Sequence, residues 1–246
     1  MKYTTLTLTA LATLIAGTAS AQTYTVKVGG AYIVPNATSS DFWGPLPNGA
    51  QARGGINLEV QPKATLMFSL ERMLNDNFSV ELVLGLPPKH DVKLKVSDQT
   101  RANAADVTNP YRLLDAQFVR YADQKVATVR QMAPTLFFNY KFGEASANCR
   151  PYLGLGINYT KMDADLTDAG KALYGGVPMT QKLSSSIAPA IQAGVAYKID
   201  KTWSVNMGLV STFVSSTLAV SGNGKTHYAK FDFTPTVYTA SVGYSF

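Results

Sequence analysis

The sequence predicts an all-β fold: an eight-stranded antiparallel transmembrane β-barrel with short periplasmic turns and long extracellular loops. Three observations carry that prediction. Hydrophobic residues make up 46% of the chain and charged ones only 15%, below the quarter or so usual in soluble domains. Past residue 21 no uninterrupted apolar run approaches the ~20 residues of a membrane helix, and a closed barrel is the other structure that pairs every backbone group in lipid. Finally, segments of about ten residues alternate apolar with small or polar side chains, joined by connections that are short and long in strict turn.

The first 21 residues stand apart. Lys2, the apolar stretch Leu6 to Ile15 and the Ala19-Ser20-Ala21 ending read as a secretory signal peptide, cleaved to leave a barrel domain over residues 22–246. The formal charge of +6 falls to +5 when Lys2 is removed. A modest positive excess favours phosphate-rich partners. For an exported chain these are outer-membrane lipid and lipopolysaccharide, with no nucleic acid, although solvated loop charges explain the excess as well. Cys149 is the one cysteine, so no intrachain disulfide forms, and no adjacent His or basic pair activates its thiol.

The eight segments follow in order. In the first, Tyr24, Val26, Val28, Tyr32 and Val34 alternate with Thr25, Lys27, Gly29 and Ala31. Leu66, Phe68 and Leu70 face away from Thr65, Ser69 and Glu71 in the second. The third sets Phe78, Val80, Leu82, Leu84 and Leu86 against Ser79, Glu81, Val83 and Gly85. Its apolar phase runs past Pro87-Pro88 through Val92, Leu94 and Val96, so this strand is expected to rise beyond the bilayer. The fourth opposes Leu136, Phe138, Tyr140 and Phe142 to Thr135, Phe137, Asn139 and Lys141. The fifth opposes Leu153, Leu155, Ile157 and Tyr159 to Tyr152, Gly154, Gly156 and Asn158.

Ile187, Ile191, Val195, Tyr197 and Ile199 form the apolar face of the sixth, against Ala190, Gln192, Gly194 and Lys198. The seventh sets Trp203, Val205, Met207 and Leu209 against Ser204, Asn206, Gly208 and Val210. In the eighth, Tyr238, Ala240, Val242, Tyr244 and Phe246 alternate with Thr239, Ser241, Gly243 and Ser245. Short connections follow strands two, four and six, while residues 35–63, 88–125, 160–182 and 214–230 are read as long loops. Within 88–125, Asn109-Pro110 followed by Leu114, Phe118 and Tyr121 predicts a short helix against the barrel rim or the outer leaflet.

Catalytic and metal chemistry find little support. No G-x-S-x-G elbow is present. His90 and His227, both in predicted loops, are read as ordinary loop histidines. The Asp163 to Asp168 stretch lacks the glycine and closing glutamate of a calcium loop, and the His and Cys spacing fits no zinc site. No cofactor, catalytic residue or metal ligand is therefore expected.

The lumen face is more informative. Its many small residues, among them Gly29, Gly154, Gly156, Gly194 and Gly208, predict room for a cavity or narrow passage. Val83, Phe137 and Val210 are apolar at inward phase. They are the candidates for a hydrophobic constriction, or they fill a closed interior.

Several stretches carry a family resemblance: NDNFSVELVLGLPPKHDVKL, APTLFFNYKFGEASANCRPYLGLGINYTKM, IQAGVAYKIDKTWSVNMGL and TPTVYTASVGYSF. RPYLGLGINYT is the most specific of them. The chain resembles the outer membrane protein W (OmpW) family. The resemblance implies an eight-stranded barrel in the cell outer membrane, whose narrow, largely apolar lumen passes small hydrophobic molecules. It places Val83 and Val210 facing that lumen. Phe246 and Tyr244 resemble the last-strand signal read by the barrel-assembly machinery. Two functions remain open at this point: a passive pore for small hydrophobic solutes, or a surface receptor, adhesin or structural barrel acting through its loops.

Overall fold

A computed structural model describes residues 24–46, 51–173 and 176–246. The predicted signal peptide lies outside them. The described residues form, in chain order, β1 (Tyr24–Val34), β2 (Trp43–Pro45), β3 (Gln51–Arg53), β4 (Ile56–Val60), β5 (Lys63–Met73), β6 (Phe78–Gly85), β7 (Lys89–Val96), α1 (Asp98–Ala105), α2 (Arg112–Arg120), β8 (Lys125–Met132), β9 (Thr135–Lys141), β10 (Cys149–Leu166), α3 (Asp168–Leu173), β11 (Thr180–Leu183), β12 (Ser186–Lys198), β13 (Trp203–Thr212), β14 (Val214–Gly222), β15 (Lys225–Phe233) and β16 (Thr236–Ser245).

Eight of these strands close a barrel in the order β1-β5-β6-β9-β10-β12-β13-β16, each antiparallel to its neighbours. Strand β16 returns to β1 with Val242 opposite Val28. Backbone bonds between Tyr24 and Phe246, at 3.3 and 2.9 Å, zip the seam to its end. Closure gives every barrel strand a neighbour on both sides, so no edge strand remains. Outward positions carry an exposed apolar belt that includes Val28, Phe68, Leu136, Leu155, Ile157 and Met207.

The alternation changes character along β10. Its 18 residues rise roughly 60 Å, about twice what a tilted strand needs to cross an apolar band of ~25 Å. Below, Leu153, Leu155, Ile157 and Tyr159 point out, while Asn158 and Thr160 are buried within. Above, the outward positions become Lys161, Asp163 and Asp165, and Met162 is buried within. The inversion between Tyr159 and Lys161 marks where lipid gives way to water outside.

The third predicted strand meets the same boundary differently. Leu84 and Leu86 are exposed on the barrel wall, yet Val92 and Leu94, at the same sequence phase, are buried inside. The single rising strand is instead two, β6 and β7, separated by Pro87-Pro88. Because apolar residues keep one phase through a change of surroundings, the backbone has to turn over at the prolines. Pro35, Pro62, Pro134 and Pro235 also flank barrel strands at this level. Each lacks an N–H to continue a ladder.

The long loops are a second folded layer. Strands β4, β7 and β8 pair in series onto the upper half of β10. Strands β11, β14 and β15 form a three-stranded sheet, and together these elements enclose an apolar core around Phe42, Leu58, Leu94, Val126, Val220 and Phe231. We call this layer the dome. The helix predicted after Asn109-Pro110 is α2, and it packs on the dome core, with Phe118 buried and Leu114 and Tyr121 against it. Helix α1 has no counterpart in the sequence expectation; Ser97 caps it by accepting from the Thr100 amide at 3.2 Å.

Candidate functional site: an ionic floor beneath an apolar dome

Glu71 on β5 and Glu81 on β6 stand directly opposite one another. Like charges so placed repel, and cations from both sides answer them. The Lys27 ammonium lies 3.0 Å from Glu71 and 2.8 Å from Glu81. Lys141 reaches the other Glu71 oxygen at 2.7 Å. Ser79 donates to Glu71 at 2.6 Å and Ser69 to Glu81 at 2.7 Å. Asn139 donates to Glu81 at 3.1 Å, and Gln192 donates to Asn139 at 2.6 Å. Two positive and two negative groups thus balance inside the barrel, with their spare lone pairs satisfied. All four ions are buried or nearly so.

Tyr152 lies across the lumen with its ring 5.9 Å from the Lys27 ammonium. Two of the inward glycines read as leaving room, Gly194 and Gly208, receive this ring instead. A methyl group at Gly194 would stand 2.5 Å from the Tyr152 hydroxyl, and one at Gly208 2.8 Å from it. The largely apolar passage expected through the barrel is corrected at this level: around Glu71 and Glu81 the lumen is polar and occupied by side chains. Below the floor a vestibule of about 730 Å³, lined by Glu71, Lys141, Arg150, Lys198 and Asn206, ends against these ions.

Above the floor the chemistry is apolar. Val83 and Phe137 sit two residues above Glu81 and Asn139 on their strands, and Val210 is opposite Gln192. All three candidates line one cavity of about 100 Å³, together with Met67, Thr135 and Asn158. Higher along β10, a second cavity of about 30 Å³ is lined by Leu58, Val92, Met162, Leu218 and Phe231 among others. Phe246 stacks on Tyr24 at 6.1 Å and on Tyr244 at 6.3 Å, and Tyr244 meets Trp203 at 5.1 Å. Both predicted assembly residues thus lie in an aromatic cluster at the short-turn end.

Residues 21–246 match the sequence model of the OmpW family. The chain belongs to the OmpW family. It is 29% identical over 250 residues to Outer membrane protein W of Escherichia coli (strain K12), covering 100% of each chain. The crystal structure of OprG from Pseudomonas aeruginosa superposes with a TM-score of 0.72 at 27% identity, covering 92% of this chain and 96% of that one. The solution structure of the E. coli protein gives 0.52 at 26% identity, covering 93% and 100%. This OmpW-family barrel therefore resides in the cell outer membrane.

Neither histidine is in a loop. His90 lies on β7 and His227 on β15, both buried in the dome. The ring nitrogens of His227 and Nε2 of His90 have no hydrogen-bond partner among the described residues. Among the described residues no nucleophile pairs with either ring. Their strands were legible: Thr226-His227-Tyr228-Ala229-Lys230-Phe231-Asp232-Phe233 alternates cleanly, behind an Asn223-Gly224 turn with φ of 50° and 71°, the strongest short hairpin signal. Asp163 and Asp165 point outward from a regular strand.

Burial pushes both imidazoles below their ordinary value; for His90 the Lys63 charge adds to this, against the Gln61 carbonyl and Asp91. The unfolded chain then takes up these protons first, near the ordinary value of about 6.5. Dome stability is complete above that pH and falls as pH drops below it. Hydrogen exchange of the β14–β15 amides is expected to show this loss between pH 7.5 and pH 5, beyond the intrinsic rate change. His227→Phe, which keeps the ring packed on Phe42, should remove much of it. An unaltered pH response in that variant would refute the assignment.

Proposed function

We propose that this protein passes small hydrophobic molecules into the outer membrane, receiving them in the dome and releasing them through the barrel wall above the ionic floor. The observation that carries this reading is the apolar space stacked on a filled, charged lumen. A solute with no hydrogen-bonding groups gains from leaving water for the dome. It gains nothing from displacing buried ion pairs, whose separation costs several kcal/mol.

The wall supplies a way out. Pairing of β6 with β9 ends at Val83 and Thr135 and resumes with the Gln131 amide donating to the Pro88 carbonyl at 3.1 Å. Between those points the cavity holding Val83, Phe137 and Val210 is lined by Leu84, Gly85 and Ala133. Outward-pointing Leu84 then meets lipid. Tryptophan at both Val83 and Val210 would fill that 100 Å³ cavity. Val83→Trp with Val210→Trp is expected to cut protein-dependent uptake of a hydrophobic fluorescent probe into vesicles at least severalfold. Unchanged uptake by a correctly folded double variant would refute the route and favour a receptor acting through the dome surface.

A further inference from the structure

Several cations of the dome are neutralised by carboxylates: Lys95 pairs with Glu59 at 3.1 Å and Asp123 at 2.8 Å, and Lys125 pairs with Asp91 at 2.6 Å. Arg101 reaches Asp123 at 3.3 Å. At the base of the dome Lys89, Arg130 and Lys161 are exposed, and among the described residues none of them forms an ion pair. Lys89 and Arg130 stand directly opposite one another on β7 and β8. Two like charges in that register oppose folding unless an anion bridges them. Asp163 is the cross-strand neighbour of Arg130, yet it makes no ion pair with it.

Their height matters as much as their charge. Lys161 is the first outward residue above Leu155, Ile157 and Tyr159 on β10, and Met132 stands opposite it. Arg130 is two residues above Met132 on β8. The three cations therefore crown the lipid-facing belt where headgroups begin, and the belt beneath offers a surface for acyl chains. We propose that Lys89, Arg130 and Lys161 bind a phosphate of an outer-leaflet phosphoglycolipid, with Arg130 supplying the forked donor that suits a phosphate. The bound phosphate relieves the Lys89–Arg130 repulsion and fixes the β7–β8 edge of the dome against the membrane.

Native mass spectrometry of the refolded full barrel in an uncharged detergent tests this with diphosphoryl lipid A as the probe. The wild type is expected to hold it at least tenfold more tightly than the same lipid with both phosphates removed. Lys89→Gln with Arg130→Gln should lose about tenfold or more, since each basic residue at a membrane surface contributes about fivefold. The single variants Lys89→Gln and Lys161→Gln should each lose about fivefold, and they decide the matter if the double variant misfolds. Lys201→Gln, at the opposite end of the barrel, should bind as the wild type does. Wild-type affinity in the rim variants overturns the site. Full displacement of the lipid by millimolar inorganic phosphate overturns the lipid assignment.

Discussion

Replacing Lys27 by methionine is expected to destabilise the barrel by about 3–5 kcal/mol, the usual result of stranding a buried charge. Among the described residues Lys27 is the one cation that contacts both Glu71 and Glu81, at 3.0 and 2.8 Å. With it gone, Lys141 still pairs with Glu71, but Glu81 keeps only neutral donors from Ser69, Asn139 and Gln192. Two facing carboxylates then share a single ammonium. Urea unfolding of the barrel in lipid vesicles reads the loss. Adding Glu81→Gln to Lys27→Met restores a neutral set of one carboxylate and one ammonium, so most of the stability should return. A loss under about 1 kcal/mol in the single variant would mean that the floor is hydrated and not sealed.

Strand facing was legible in the sequence because lipid imposes one requirement on every outward position. Lys27, Glu71, Glu81, Asn139, Lys141 and Gln192 were each read as inward from alternation alone, and each is buried or nearly so. Their assembly into one network was not legible. Lys27 meets Glu81 across 54 positions of sequence, and the pairing depends on a register set by all eight strands together. Four ionisable residues at mid-strand inward positions were nevertheless a signal of a lumen closed by charge.

The dome was lost for a different reason. Alternation says which residues share a face, not which face meets lipid, and above Tyr159 that relation reverses. The Val214 to Phe233 segment alternates as regularly as any barrel strand, but its buried side holds Leu218, Val220, Ala229 and Phe231, packed inward against other loops. Read with a rule that places apolar residues outside, it has no role and becomes a loop. The Asn223-Gly224 turn between its halves carried the information. Glycine in the lumen misled in the opposite sense: Gly194, paired directly with Tyr152 on the adjacent strand, and Gly208 on the strand beyond make room for the Tyr152 ring, so residue size alone did not report free space.

The apolar dome and the sealed floor together make a selectivity statement that one vesicle experiment can read. On the proposed route an apolar solute that enters the dome leaves through the wall into lipid, whereas a hydrophilic solute meets buried ion pairs and stops. Protein reconstituted into vesicles is loaded from outside with a hydrophobic probe that brightens in the bilayer. A small neutral sugar is followed in parallel by light scattering. Insertion of the hydrophobic probe should run severalfold faster than in protein-free vesicles, while sugar entry stays at the protein-free rate. Sugar entry accelerated as strongly as probe insertion would contradict the sealed floor and the sideways route alike.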